Sequence, residues 1–171
     1  AYDAALRVDD AVFMQDIVAG PKTVFVTGAT GTMGQETVRQ LLARSPRFKV
    51  RVLARPSDKN RALLKKMAHP MLEVVWGDMA DFACVKRCVA GADYVLHIGA
   101  MVSPAADKYP EKTLYTNIGS TLAIIKAIQE QPNADDIHLV YVGTVAETGD
   151  RQYPVQMGRC GDPINPSIHD Y

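Results

Sequence analysis

Residues 24–34 read Val-Phe-Val-Thr-Gly-Ala-Thr-Gly-Thr-Met-Gly, a buried-strand run that passes directly into three glycines and then into a helix-like segment. Gly28, Gly31 and Gly34 follow a G-x-x-G-x-x-G spacing, one residue longer in its first interval than the G-x-G-x-x-G dinucleotide fingerprint. The physical logic is the same. One glycine permits a tight turn out of the strand, one lets the backbone approach a phosphate with no Cβ in the way, and one lets the helix pack closely on the sheet. The start of that helix offers unpaired N–H groups and the positive end of its dipole to an anion. Thr27 and Thr30 add hydroxyls that brace the loop, and Thr32 and Met33 fall in the same turn, so the junction is read as a pyrophosphate site.

Composition limits what else the chain does. With 171 residues there is room for one domain with a proper core, and 47% hydrophobic with 22% charged residues is ordinary globular material. A formal net charge of +0 leaves no electrostatic footprint for nucleic acid or an anionic membrane. The longest apolar runs are strand-length, short of the roughly 20 residues a membrane span needs, and the start shows no signal-peptide pattern. Three cysteines, Cys84, Cys88 and Cys160, are an odd count that suits reduced thiols and a cytoplasmic setting. Cys84 and Cys88 could share a helix face, but no further ligands lie nearby, so no metal site is expected.

The remaining pattern is regular. Residues 1–20 form a candidate amphipathic helix, with Leu6, Val12, Phe13 and Ile17 at helical spacing and Gly20-Pro21 as its stop. We read it as an extension outside a nucleotide-binding domain over residues 21–171. Strands are expected over residues 23–27, 49–54, 72–76, 93–97 and 137–142. Helices are expected over 33–44, 57–68, 81–89 and 111–131, with Ser57 and Asp81 at or near two caps. Strands alternating with helices imply βαβ units and a parallel sheet covered on both faces. Right-handed crossovers then give an α/β, doubly wound sheet of order 3-2-1-4-5, its switch point between strands one and four. Residues 143–171 are rich in Gly, Pro, Asp and Asn, and a loop of that length is usually functional or disordered. Five strands where such folds commonly have six read as a C-terminally truncated domain, the front portion of something longer.

Two positions bear on the ligand. Strand two ends in Val52-Leu53-Ala54 followed by Arg55, with Lys59 and Arg61 close behind. An acidic residue here would bond a ribose 2′-OH, whereas a basic one accommodates a 2′-phosphate, so the expected cofactor is NADP rather than NAD. Asp78, in Trp76-Gly77-Asp78-Met79 after strand three, serves either as an acceptor for the adenine amino group or as a turn residue.

The segments Thr-Gly-Ala-Thr-Gly-Thr-Met-Gly (27–34), Gly-Asp (77–78), Val-Leu-His-Ile-Gly-Ala (95–100) and Thr-Asn-Ile-Gly-Ser-Thr (116–121) occur together. In order and spacing they resemble the extended short-chain dehydrogenases/reductases, which include NAD(P)-dependent epimerases/dehydratases and dihydroflavonol-reductase-like enzymes. The resemblance runs from Lys22 to Tyr171 and implies a Rossmann domain whose substrate domain is absent. It implies that Ile98, Gly99 and Ala100 form the turn beneath the cofactor, with Met79 and Val142 beside the same site. Asn117 is implied as the helix asparagine that stabilises strand four and the active-site geometry. Residues 52–57, Val-Leu-Ala-Arg-Pro-Ser, are similar to NADP-preferring members.

The family's chemistry uses a Ser/Thr together with Tyr-x-x-x-Lys. Alignment places Thr144 on the catalytic hydroxyl, although Val142 and Gly143 replace hydroxyl residues there. The tyrosine is implied to be Tyr171 or the residue after it, and the lysine would fall beyond the last residue. His97 lies in a strand's buried run and reads as a packed histidine, while His69, His138 and His169 are unclustered and read as loop or turn residues. The resemblance thus implies an NADP-dependent oxidoreductase or epimerase/dehydratase acting on a small-molecule carbonyl or nucleotide-sugar substrate, with a homodimer as one assembly. The alternative is a non-catalytic NADP-binding regulator or redox sensor on the same fold. On the enzyme reading, this chain alone should bind NADP weakly and not turn over.

Overall fold

The first strand, β1 (Lys22–Thr27), is buried on both faces at its C-terminal end, with Val24, Phe25, Val26 and Thr27 at most 2% exposed. Such a strand belongs in the middle of a sheet covered by helices on either side. The computed structural model describes residues 20–144, so the expected N-terminal helix, the loop after residue 144, Cys160, His169 and Tyr171 lie outside the described residues.

After β1 come α1 (Thr32–Leu42), β2 (Phe48–Ala54), α2 (Asp58–Lys66), β3 (Leu72–Trp76), α3 (Phe82–Val89) and β4 (Tyr94–His97). They are followed by α4 (Ala105–Lys108), α5 (Pro110–Gln129), a 3-10 turn (Ala134–Asp136) and β5 (His138–Tyr141). The five strands form one sheet of order β3-β2-β1-β4-β5 with every pairing parallel, the doubly wound order the sequence implies.

Strand alternation divides the core into two layers. Val24 and Val26 pack with Val38 and Leu41 of α1, Val50 and Val52 of β2, and Leu64 of α2. Phe25 faces the opposite way, onto Val85, Cys88 and Val89 of α3, Val95 of β4, and Ala123, Ile124 and Ala127 of α5. Cys84 and Cys88 are therefore core residues, and burial pushes the Cys88 thiol up to about 11. The exposed side of α5 carries Leu114, Ile118 and Leu122. Among the described residues no helix is long and apolar enough to cross a membrane.

The element ends have local causes. The Ser57 hydroxyl accepts from the Asn60 N–H to begin α2, and Asp81 accepts from the N–H groups of Ala83 and Cys84 to begin α3. Arg51 donates to the carbonyls of Cys88 and Ala90, closing the other end of α3. β4 starts at Tyr94 rather than at residue 93; the Asp93 carboxylate just before it accepts from the Thr23 N–H and pairs with Lys22. His138 is the first residue of β5 and stacks on Tyr94, ring centroids 5.4 Å apart, so it is a residue of the strand expected over 137–142 and not a loop or turn residue. Helix α4 has no counterpart in the sequence reading. Four residues between Pro104 and the Tyr109-Pro110 pair are too few to show a period.

Candidate functional site

Register brings the candidate residues to one edge. Thr27 pairs with Leu53 and His97, Ala54 with Trp76, and His97 with Tyr141, so all five strands end level at their C-terminal ends. The segments that leave this edge are 28–31, 55–57, 77–81, 98–104 and 142–144. In open α/β sheets this edge is where ligands bind, at the point where strand order reverses between β1 and β4.

The three glycines have distinct roles there. Gly28 has φ +70°, and a Cβ on it would lie 2.6 Å from the Gly99 Cα and 2.7 Å from the Gly99 N. It is the tight turn, and it presses on the turn after β4. A Cβ on Gly34 would overlap the Gly28 carbonyl oxygen and stand 2.8 Å from the Ala29 Cα, so this glycine lets α1 close onto the loop; its contact is with the loop and not, as the sequence suggested, with the sheet. Gly31 is extended (φ −80°, ψ 170°), exposed, and would bring a Cβ only to 3.3 Å from the Gly28 carbonyl oxygen. Little in the protein itself demands glycine there.

Gly31 also caps α1 without a side chain, and the first turn holds no acidic residue. By contrast α2 and α3 begin with Ser57 and Asp81 in place. Gly31, Thr32 and Met33 are exposed, and the Gln35 side chain holds the loop by donating to the Thr30 carbonyl. This exposed helix start, with no side-chain cap, stands beside the glycine turn, the kind of arrangement that receives an anion.

Beneath lies the turn after β4. Gly99 donates its N–H to the Thr27 hydroxyl at 3.0 Å, and a Cβ on Gly99 would meet the Met79 Sδ at 2.9 Å and the Gly28 N at 2.9 Å. The loops carrying Gly28, Met79 and Gly99 are therefore packed together, with Ile98 half-buried and Ala100 exposed alongside. Asn117, on α5, grips the next stretch: its Oδ1 accepts from the Met101 N–H at 2.7 Å and its Nδ2 donates to the Met101 carbonyl at 3.0 Å.

His97, 3% exposed, sits between these groups. Its Nδ1 is 2.8 Å from the Thr27 hydroxyl, and its Nε2 lies 3.2 Å and 3.3 Å from the hydroxyls of Thr121 and Ser120. The Tyr141 ring is 5.8 Å away, centroid to centroid. No charged side chain is among these neighbours, and burial holds the imidazole below its ordinary value. A base whose folded pKa is depressed favours the folded state above about pH 6.5, and that contribution is lost as pH falls below 6.5 toward the folded pKa. Urea midpoints measured from pH 7.5 to 5 should fall for the wild type and fall less for His97→Gln; equal slopes would contradict a buried neutral His97. Ser120 and Thr121 escaped the sequence reading as partners of His97, because contacts 23 and 24 positions apart leave no local period.

Arg55 directly follows β2 and is exposed; its carbonyl accepts from Asn60. Arg61, from α2, lies over the Trp76 ring at 4.6 Å. Asp78 is exposed, and its Oδ1 accepts from the Ala80 N–H at 2.9 Å, the turn role that its sequence context left open. At the far end Val142 donates its N–H to the His97 carbonyl at 3.2 Å, and Thr144 is exposed on the same edge. Tyr171, the other candidate catalytic residue, lies outside the described residues.

Known proteins resemble this chain in sequence and fold. The family model described as the NAD dependent epimerase/dehydratase family matches residues 24–168. The UDP-glucose 4-epimerase of Rickettsia akari is 26% identical over 101 residues, covering 57% of this chain and 30% of that protein. The chain spans about a third of the length of the curated relatives it matches. Among solved structures, the Bordetella bronchiseptica enzyme WbmH in complex with NAD+ superposes with a TM-score of 0.71 at 29% identity, over 88% of this chain and 48% of that one. Uronate dehydrogenase from Agrobacterium tumefaciens gives a TM-score of 0.63 at 26% identity, over 85% and 48%.

Proposed function

The chain belongs to the NAD dependent epimerase/dehydratase family, within the extended short-chain dehydrogenases/reductases, and we propose that it is the cofactor-binding part of an NADP-dependent oxidoreductase or epimerase/dehydratase. The observation that carries this reading is the glycine turn itself: an uncapped helix start and an exposed, unforced Gly31 at the strand-order reversal. A pyrophosphate fits that cradle, since it needs N–H donors and room where a Cβ would stand.

On this reading Gly28 to Gly34 receive the pyrophosphate, Asp78 stands near the adenine, and Arg55 grips the 2′-phosphate. Gly99, Ile98 and Ala100 floor the site, with Asn117 fixing the stretch that follows. When bound, the nicotinamide exchanges hydride with a substrate carbon. Thr144 would hydrogen-bond the substrate oxygen and orient it, and Tyr171 would give or take that oxygen's proton. The WbmH complex holds NAD+, so NAD is the competing cofactor. The substrate class we propose is a carbonyl compound or nucleotide sugar, as the named relatives' UDP-glucose and uronate suggest.

The replacement of hydroxyl residues by Val142 and Gly143 before Thr144 favours one other reading, a dinucleotide-binding regulator without turnover. Calorimetry of this chain with NADP and with NAD, and nicotinamide absorbance of a protein extended through the lysine of Tyr-x-x-x-Lys with a panel of aldehydes, ketones and nucleotide sugars, separates the two. Heat from either dinucleotide is expected. Absence of binding to both would overturn the cofactor reading, and turnover would exclude the regulator.

A further inference from the structure

We propose that His97 is a positioning residue: held as its neutral Nε2–H tautomer, it joins the Gly99 turn under the cofactor loop to the stretch of α5 that carries Asn117. The Thr121 hydroxyl donates to the Asn117 carbonyl at 2.8 Å and the Ser120 hydroxyl to the same carbonyl at 3.2 Å. Each hydroxyl has a single proton, and with that proton on the carbonyl each presents a lone pair to the His97 Nε2, at 3.2 and 3.3 Å. A hydrogen on Nε2 satisfies both of these contacts. At the other side Nδ1 is then an acceptor, and Thr27, whose oxygen already accepts from the Gly99 N–H, donates its proton to it at 2.8 Å.

The opposite tautomer fails at a buried position. With hydrogen on Nδ1, Thr27 would accept from both His97 and Gly99, and its own proton would have no acceptor among its hydrogen-bonding partners at 0% exposure. A buried hydroxyl proton without a partner is costly. One directed path thus runs from the Gly99 N–H through Thr27, His97 and Thr121 to the Asn117 carbonyl. The Asn117 side chain in turn clamps Met101, so both ends of the 98–101 stretch are set from a single network. Its bearing on dinucleotide affinity rests on the cofactor reading above; the tautomer and the coupling do not.

The test is nuclear magnetic resonance on the 171-residue chain with 15N-labelled histidine and backbone, without dinucleotide. The expected wild-type spectrum shows His97 protonated at Nε2 with Nδ1 as a pyridine-type nitrogen; protonation at Nδ1, or averaging between tautomers, overturns the proposal. In Ser120→Ala/Thr121→Val, which removes both acceptors of Nε2–H, the Gly99 amide should shift although it is over 20 positions away. Restoring one hydroxyl as Thr121→Ser on the Ser120→Ala background should return it. An unmoved Gly99 amide would mean that His97 merely fills space. NADP affinity should fall several-fold in the double variant and recover with the serine; unchanged affinity would sever the network from the cofactor loop. If wild type binds neither NADP nor NAD, the cofactor reading fails, while the ring and amide signals still decide the role of His97.

Discussion

Gly28→Ala and Gly34→Ala will both lose a large share of the domain's stability, while Gly31→Ala will fold and bind dinucleotide poorly. At Gly28 an alanine would have to adopt φ +70°, which costs about 1–2 kcal/mol for an L-residue. Its Cβ would also stand 2.6 Å from the Gly99 Cα, and forcing backbone apart in a packed site adds about 1–3 kcal/mol. A total on the order of 2–5 kcal/mol is a large share of the 5–15 kcal/mol that typically stabilises a domain. Gly34→Ala meets the Gly28 carbonyl in the same way, with no flexible side chain to yield. Gly31→Ala needs only a few tenths of an ångström from the Gly28 oxygen and keeps an ordinary φ of −80°, so its stability should change by less than about 1 kcal/mol. Urea unfolding of the three variants, with dinucleotide calorimetry on those that fold, checks the division. A Gly31→Ala protein that folds and binds like wild type would remove the pyrophosphate from this loop.

The division also shows which parts of the molecule are legible in one dimension. The sheet order was, because strand runs such as Val24 to Val26 and Val50 to Leu53 alternate with helical stretches, and the parallel crossovers that connect them have a fixed hand. The glycine turn was legible as a turn, because only glycine takes the backbone through Gly28. What each glycine opposes was not: Gly34 answers to a carbonyl in its own loop, while Gly28 and Gly99 answer to each other across 71 residues. The same limit hides the network around His97, whose partners come from β1 and α5. A hydroxyl beside an imidazole has no period and no characteristic spacing, so it exists only once the strands are in register. Asp78 stands between these cases. Its sequence context admits a ligand contact and a turn, and the bond to Ala80 engages one carboxylate oxygen in the turn.

Arg55→Ala should abolish a preference for NADP over NAD and leave NAD binding nearly unchanged. Three basic side chains, Arg55, Lys59 and Arg61, cluster after β2, and they are not equivalent. Arg61 is stacked over Trp76 at 4.6 Å, a placement that occupies its guanidinium face. Arg55 is exposed, forms no ion pair among the described residues, and leaves the sheet at the same level as Thr27 and the glycine turn. Its carbonyl is fixed by Asn60, so the backbone is ordered while the side chain can swing to a ligand. A guanidinium bonds a phosphate through paired, charge-assisted contacts that a 2′-hydroxyl cannot reciprocate. Hydrogen bonds to charged groups are worth about 1.5–3 kcal/mol, so the variant should lose about ten- to hundred-fold in NADP affinity. Arg55→Lys should recover the charge and only part of the affinity, because an ammonium contacts phosphate as a point charge. Raising salt should erode the wild-type preference as well, since a partly exposed pair is screened. Calorimetric titration of both dinucleotides against wild type, Arg55→Ala and Arg55→Lys gives the answer. Equal NADP affinity in wild type and Arg55→Ala would place the 2′-phosphate elsewhere, with Lys59 the nearest exposed cation in sequence to test next.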